Sequence, residues 1–320
     1  MPENRLKVSV CVVAYNHGRY IGECLASVVG QQVEADLEIL VGDDCSTDET
    51  REIIGGYAEK YPDLVQPVFH PKNIGGTRNY QALIGKAEGD YIAHLDGDDY
   101  WLPGKLAEQI AFLEENRNCV AVYANAKVIS DSGELMGRFN GVLPQQFDLN
   151  YLVRKGNFLN GSSLVYRARC KDPILQLQGD ALDYHFHILL AGQGALGYVN
   201  RELAAYRRRS TTSTMSTNYG FVLELYWKAI LCARSKGADK DALLQCVQGL
   251  VQNVVRLAAA RGSPREAWRW GNRIVEECPL VSWTMLVRFV LMLPFSVGGR
   301  VLRRLARRIF KGGAEILYDR

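Results

Sequence analysis

The eight cysteines of this 320-residue chain (11, 24, 45, 119, 170, 232, 246 and 278) form no CxxC pair and keep no regular spacing. That excludes a disulfide scaffold and a structural zinc site, and it reads as reduced thiols of a cytosolic protein. The opening residues, MPENRLKVSV, have no apolar signal-peptide core. No GxGxxG follows the first strand-like segment, which disfavours a dinucleotide-binding oxidoreductase. The apolar stretch from Trp283 to Phe295 is interrupted by Arg288 and Pro294 and is too short to span a bilayer. An excess of one charge is missing too, except at one end. Residues 281–320 hold eight basic and two acidic residues, leaving 30 basic and 33 acidic in the first 280. A basic face over the whole chain is therefore absent, and no nucleic-acid partner is expected.

What is present is a globular composition, 48% hydrophobic and 23% charged. The first 130 residues alternate strand and helix patterns. Lys7–Ala14 is β-branched and nearly all apolar, as a strand buried on both faces should be. Tyr20–Val29 has a helical period, and Leu37–Val41 reads as a second strand. Ser46 and Glu49 are spaced as a capping box opening a helix. Leu64–Phe69 reads as a strand placed at an edge by Pro67. Thr77–Ala87 reads as a helix, Asp90–Leu95 as a strand, Pro103 to about Asn116 as a helix, and Val120–Ile129 as a strand. Ser162–Tyr166 and Leu196–Val199 read as short strands, and Tyr184–Ala191 as a helix. From Tyr219 the pattern is helical, over 219–235, 240–260 and 264–276. The expected class is α/β, a mostly parallel sheet flanked by helices with a C-terminal helical region. Three divisions are expected: 1–215, 216–280 and 281–320.

In such sheets ligands bind at the carboxyl ends of the strands. Here those ends carry Tyr15-Asn16, Asp43-Asp44 and Asp96-Gly-Asp98-Asp99. Three carboxylates within four residues repel one another unless a cation joins them, and oxygen ligands suit Mg²⁺ or Mn²⁺. A solvated acidic turn is the bland alternative, since Asp and Gly favour turns. The segment Asn73-Ile-Gly-Gly-Thr-Arg78-Asn adds glycines for close approach and an arginine suited to phosphate or a base.

Taken in order, Val-Ala-Tyr-Asn, Val-Gly-Asp-Asp-Cys-Ser-Thr-Asp-Glu-Thr, Asn-Ile-Gly-Gly-Thr-Arg-Asn and Leu-Asp-Gly-Asp-Asp-Tyr-Trp resemble the family 2 inverting glycosyltransferases. The likeness covers roughly residues 7–215. It implies a GT-A fold and a nucleotide-sugar donor, with UDP favoured over dTDP. It implies that Ala14, Tyr15 and Asn16 border the base and that Asp44 bonds the uracil ring. Asn73 and Arg78 would lie beside base and phosphates. Asp96 and Asp98 match the DxD motif, with Asp98 the direct metal ligand and Asp96 near the sugar, sharing the metal.

The stretch Leu182-Asp-Tyr-His-Phe-His resembles the family segment that carries the catalytic base, which places that role on Asp183, with Asp180 the runner-up. The bland reading of Asp183 is a helix N-cap. His94, His185 and His187 read as structural. Family members often carry a metal-binding His after Tyr-Arg, but Tyr206 here precedes Arg207, Arg208 and Arg209. Arginine pairs with diphosphate rather than with metal, so Arg207 and Arg209 are expected on the donor. Asn160 to Ser163 are expected to border the acceptor, a glycan or lipid-linked glycan of a bacterial surface polysaccharide. Two other classes remain open: a non-catalytic nucleotide-sugar-binding assembly protein, and a nucleotidyltransferase. The basic tail 281–320 alternates Val301, Leu302, Leu305 and Ile309 with arginines. Either it lies on an anionic membrane, at the cytoplasmic face of the inner membrane, or it packs on the enzyme or in a homo-oligomer.

Overall fold

The computed structural model describes residues 5–208, 219–292 and 315–318. Strand β1 (Lys7–Ala14) runs through the centre, with β2 (Asp36–Asp43) and β4 (Tyr91–Asp96) parallel on either side and β3 (Val65–Phe69) at the edge beyond β2. Beyond β4 the sheet becomes mixed. The short β9 (Val165–Arg167) is antiparallel to both β4 and β6 (Cys119–Ile129). The long β10 (Ala195–Arg207) lies parallel to β6 and also pairs with the two-residue strands β5 (Tyr100–Trp101) and β8 (Gln146–Phe147). β7 (Leu135–Asn140) and β11 (Glu315–Tyr318) complete the far side.

The two faces of β1 follow its period of two. Val8, Val10, Val12 and Ala14 pack with α1 (Ile21–Val29), α2 (Thr50–Lys60) and α4 (Lys105–Glu115). Cys11 faces the other way, toward α3 (Gly76–Lys86), α5 (Leu149–Lys155) and α7 (Asp183–Ala191), the one-turn α6 (Asp172–Leu175) lying between the last two. The same core continues into α8 (Tyr219–Ser235), α9 (Lys240–Ala260), α10 (Pro264–Glu277) and α11 (Trp283–Leu291). Among the described residues no helix is long and apolar enough to cross a membrane.

Several expectations need local correction. The helix expected at Ser46 begins at Thr50, and Ser46 Oγ instead accepts the Asn16 backbone N–H at 2.9 Å. Pro103 lies in the turn before α4, whose cap is Gly104 at φ 84°. Of the strand expected over Ser162–Tyr166, Gly161–Ser163 is a 3₁₀ turn and only Val165–Arg167 pairs. The short strand at Leu196–Val199 is the start of a 13-residue strand. The polar Asn200 and Arg201 interrupt its apolar pattern where the pairing with β6 shifts register. Most of the expected basic tail 281–320, from residue 293 to 314, and the residue Arg209 lie outside the described residues.

Candidate active site

The parallel register places Ala14 opposite Asp43, and Val13 opposite Asp96, so three strand ends meet at one sheet edge. Beyond β1 the chain turns sharply at Asn16, which takes φ 54°. Its side-chain oxygen accepts the Thr47 backbone N–H at 2.9 Å and binds the β1 and β2 loops together. Tyr15 is exposed beside it. Asp43 is wholly buried and bound by Arg51, whose Nε and Nη2 both donate to Oδ2 at 2.9 and 2.7 Å. Asp43 is therefore a structural anchor.

Asp44 is 2% exposed, and its carboxylate accepts the backbone N–H groups of Ile74 (2.6 Å) and Gly75 (2.9 Å). Asn73 Nδ2 donates to the Asp44 carbonyl at 3.2 Å. The sequence reading set Asp44 on a base. The structure spends this carboxylate on the Asn73–Gly75 loop, which takes φ 88° at Gly75. Arg78 is exposed on the first turn of α3.

The Asp96–Asp99 turn closes over the end of β1. Gly97 donates to the Val13 carbonyl at 2.8 Å, and a Cβ on Gly97 would stand 2.8 Å from His17 Nδ1 and 3.0 Å from Ile21 Cδ1. Only glycine fits between the two acids. Ser162 organises the turn: its Oγ donates to Asp99 Oδ2 at 2.6 Å, lies 3.3 Å from Asp96 Oδ2, and accepts the Asp96 backbone N–H. The three acids are held differently. Burial, then the charges of Asp98 and Asp96, push Asp99 well above the usual carboxylate range. Burial works the same way on Asp96, but the His94 hydrogen bond and charge outweigh it and hold that carboxyl below its usual value. His94 Nε2 lies 3.3 Å from Asp96 Oδ1. Burial opposes the charged imidazole, yet Asp96 and Asp183 raise its pKa overall.

Asp183 begins α7 and reaches the same cluster. A Cβ on Gly161 would lie 2.9 Å from Asp183 Oδ2 and 3.7 Å from His94 Cδ2. Asp183 is exposed at its own surface, but protein surrounds its carboxyl at longer range. That loss of hydration, and then the charge on Asp96, raise its pKa to about 6, against the pull of His94. Asp180, the runner-up, stands instead beside Gly75. The sequence reading missed His94 and Ser162 as organisers of this site. The signal was a polar residue on the buried central strand β4 and a serine in an Asn-Gly-Ser-Ser turn.

Arg207 is buried at the end of β10. Its Nη2 pairs with Glu23 at 2.6 Å, its Nε donates to the Asp98 carbonyl at 3.0 Å, and its Nη1 donates to the Ser130 carbonyl at 3.2 Å. Its plane lies over Tyr20, and its backbone N–H donates to Asp99 Oδ1 at 2.7 Å. The side chain expected on the donor thus clamps the acidic turn, with most of its N–H groups bonded to protein acceptors. Arg208 is exposed.

Among the described residues no three His, Cys, Asp or Glu side chains stand close enough to hold a metal ion by themselves. Mg²⁺-type sites need only one or two carboxylates together with substrate phosphates. Asp96 and Asp98, half-buried at a strand end, fit that smaller role. Burial comes first in raising Asp99, and the charges of Asp98 and Asp96 after it; a cation would relieve that second part.

The profile of glycosyl transferase family 2 matches residues 9–170, just over half of the chain. An uncharacterised protein of Mycobacterium tuberculosis is 30% identical over 205 residues, 63% of this chain and 59% of that protein. The chain thus spans well under two thirds of that relative. The UDP-Glc:α-D-GlcNAc-diphosphoundecaprenol β-1,3-glucosyltransferase of Escherichia coli is 26% identical over 223 residues, 70% of this chain and 85% of that protein. Among solved structures, Staphylococcus aureus TarS 1–349 in complex with UDP-GlcNAc superposes with a TM-score of 0.64 at 20% identity, covering 88% of this chain and 83% of that one. A Pyrobaculum calidifontis mannosyltransferase in complex with GDP-Man and Mn²⁺ gives 0.52 at 18% identity, covering 92% and 89%. The structural likenesses agree with the GT-A architecture, and the profile match over just over half of the chain shows that it belongs to glycosyl transferase family 2.

Proposed function

We propose that the protein is a metal-dependent inverting glycosyltransferase that moves a sugar from a nucleoside-diphosphate sugar, UDP-linked by preference, to an acceptor hydroxyl in surface-polysaccharide assembly. The observation that carries this reading is the placing of Asp183 against Gly161, beside His94 and the Asp96–Asp99 turn. A base with a pKa near ambient pH stands next to the acids suited to a donor diphosphate. Asp183 takes the acceptor proton as that oxygen bonds to the anomeric carbon. The bond from that carbon to the diphosphate oxygen breaks on the opposite face, and its electron pair leaves with the nucleoside diphosphate. Asp98 and Asp96 would hold a divalent cation, Mn²⁺ or Mg²⁺, which would supply charge neutralisation for that leaving group. Ala14, Tyr15, Asn16, Asn73 and Arg78 border the nucleotide. Asp44 shapes that pocket through the Asn73–Gly75 loop. The turn Asn160 to Ser163 supports the acceptor side from beneath, since these residues are buried and the Ser162 and Ser163 hydroxyls are bonded to the acidic turn and to β6.

Support for the donor class comes from the solved neighbour bound to UDP-GlcNAc, and for a lipid diphosphate acceptor from the Escherichia coli relative's name. The experiment is release of free nucleoside diphosphate from a panel of nucleotide sugars with Mn²⁺. Asp183→Asn is expected to lower turnover by about 10²–10⁴-fold and to leave donor binding intact in calorimetry. Full turnover in that variant, or pyrophosphate as product, refutes the reading.

A further inference from the structure

The C-terminal helices carry a surface that the proposed chemistry does not use. Along α10, Arg265, Trp268, Arg269 and Asn272 recur at three- and four-residue steps and are all exposed. Along α11, Trp283, Val287 and Leu291 recur at four-residue steps and are exposed too, with Arg288 beside them. The two rows join where Trp268 stacks on Trp283, ring centroids 4.7 Å apart. Trp268 is 63% exposed and Leu291 69%, so the patch is apolar, aromatic and open. The opposite faces of both helices carry the buried Trp270, Ile274, Leu286 and Phe289; Trp283 also packs its ring on Gly271, but packing does not explain the exposure of Trp268, Val287 and Leu291.

The charge around the patch is mainly basic, with one acid, Glu276, continuing the exposed row of α10. Arg265, Arg269 and Arg288 make no ion pair with a described residue. Indoles with arginines at the rim of an apolar stripe match the boundary between lipid headgroups and acyl chains. The sequence beyond Met292 continues in the same sense, with Arg300, Arg303, Arg304, Arg307, Arg308 and Lys311. We infer that the outer face of α10 and α11 docks on an anionic lipid bilayer, with Trp268 and Trp283 at headgroup level. This extends the basic tail expected from sequence upstream into folded helices. It rests on the proposed reading only in giving that enzyme the surface where a lipid-linked acceptor is met.

The test uses the full chain and phosphatidylcholine vesicles with and without phosphatidylglycerol. Co-sedimentation is expected with the phosphatidylglycerol vesicles alone and is expected to weaken as salt is raised. Tryptophan emission should shift to the blue on binding. The other three tryptophans, Trp101, Trp227 and Trp270, are already buried, so the shift reports this patch. Arg265→Glu with Arg269→Glu, and separately Trp268→Ser, should each weaken vesicle binding at least tenfold while leaving donor turnover without vesicles unchanged. These positions lie ahead of residue 281, so the variants separate the helical face from the tail. Equal binding by variants and parent overturns the inference. So does a dimer in light scattering that Trp268→Ser converts to monomer, since a second copy would then be the occupant. Loss of docking with donor turnover retained leaves the transferase reading standing.

Discussion

A base that must take a proton in neutral solution works best when its own pKa lies close to the ambient pH. Asp183 meets this through dehydration and the Asp96 charge, which bring it to about 6. Two consequences follow at this residue. Turnover should fall on the acid side as Asp183 takes up a proton, with a midpoint at or below about 6 because a cation on Asp96 would offset part of the charge that raises it; a pH–rate profile measures it, and the residual activity of Asp183→Asn should lack that limb. The ionised carboxyl also costs stability, since the folded pKa exceeds the unfolded value. The stabilising contribution is complete below the unfolded value, near 4, and is lost as pH rises through about 6. Asp183→Asn should therefore melt higher than the parent at pH 7.5, with the gap closing by pH 4, as read by calorimetry. Gly161 belongs to the same geometry. A Cβ there would stand 2.9 Å from Asp183 Oδ2, so Gly161→Ala must displace the base. We expect a fall in kcat of about tenfold, equivalent to about 1.4 kcal/mol of barrier, with donor KM little changed.

Among the elements, the end of β10 does more than its length suggested. Arg207 ties it to α1 through Glu23, to the β6–β7 turn through Ser130, and to the acidic turn through Asp98. Arg207→Met removes these bonds without adding bulk. We expect a loss of about 2 kcal/mol in stability and a several-fold rise in the Mn²⁺ concentration needed for half-maximal turnover, as the Asp98 backbone loosens. Arg207→Lys, which keeps the charge but not the fork, should recover only part of it. This clamp was not legible from sequence, where Arg207 is one of three consecutive arginines with nothing to separate buried from exposed. The elements themselves were largely legible. β1 matched Lys7–Ala14 because a strand buried on both faces is apolar throughout. The α8 and α9 bounds matched because their apolar spacing is sustained over many turns. The misreadings came where short polar side chains serve a neighbouring loop. Ser46 satisfies Asn16 rather than a helix, and Ser162 holds two carboxylates rather than opening a strand. Such partners are distant in sequence, 30 residues for Ser46 and 63 to 66 for Ser162, and no local period encodes them.

For the whole molecule, one apolar core runs from the sheet into the helices that begin at Tyr219. Tyr184–Ala191 of α7 are buried around the whole helix, which needs cover on both sides. The sheet supplies one side. The other comes from α8, where Tyr226 stacks on Tyr184 with centroids 5.0 Å apart and Trp227 is wholly buried. The base sits at the first turn of α7, so its placement depends on helices that contribute no chemistry. If the core is shared, truncating a side chain in α8 should destabilise the sheet and the site together. Trp227→Ala removes a large buried ring and the bond from its Nε1 to Glu277. The cost is expected to be about 3–5 kcal/mol, lowering the melting temperature by roughly 5–15 °C for a chain of this size. Far-UV ellipticity and donor turnover should then fall at one common temperature. Ellipticity lost in two steps, with turnover surviving the first, would show that the helices fold apart from the catalytic sheet and that α7 keeps Asp183 in place without them.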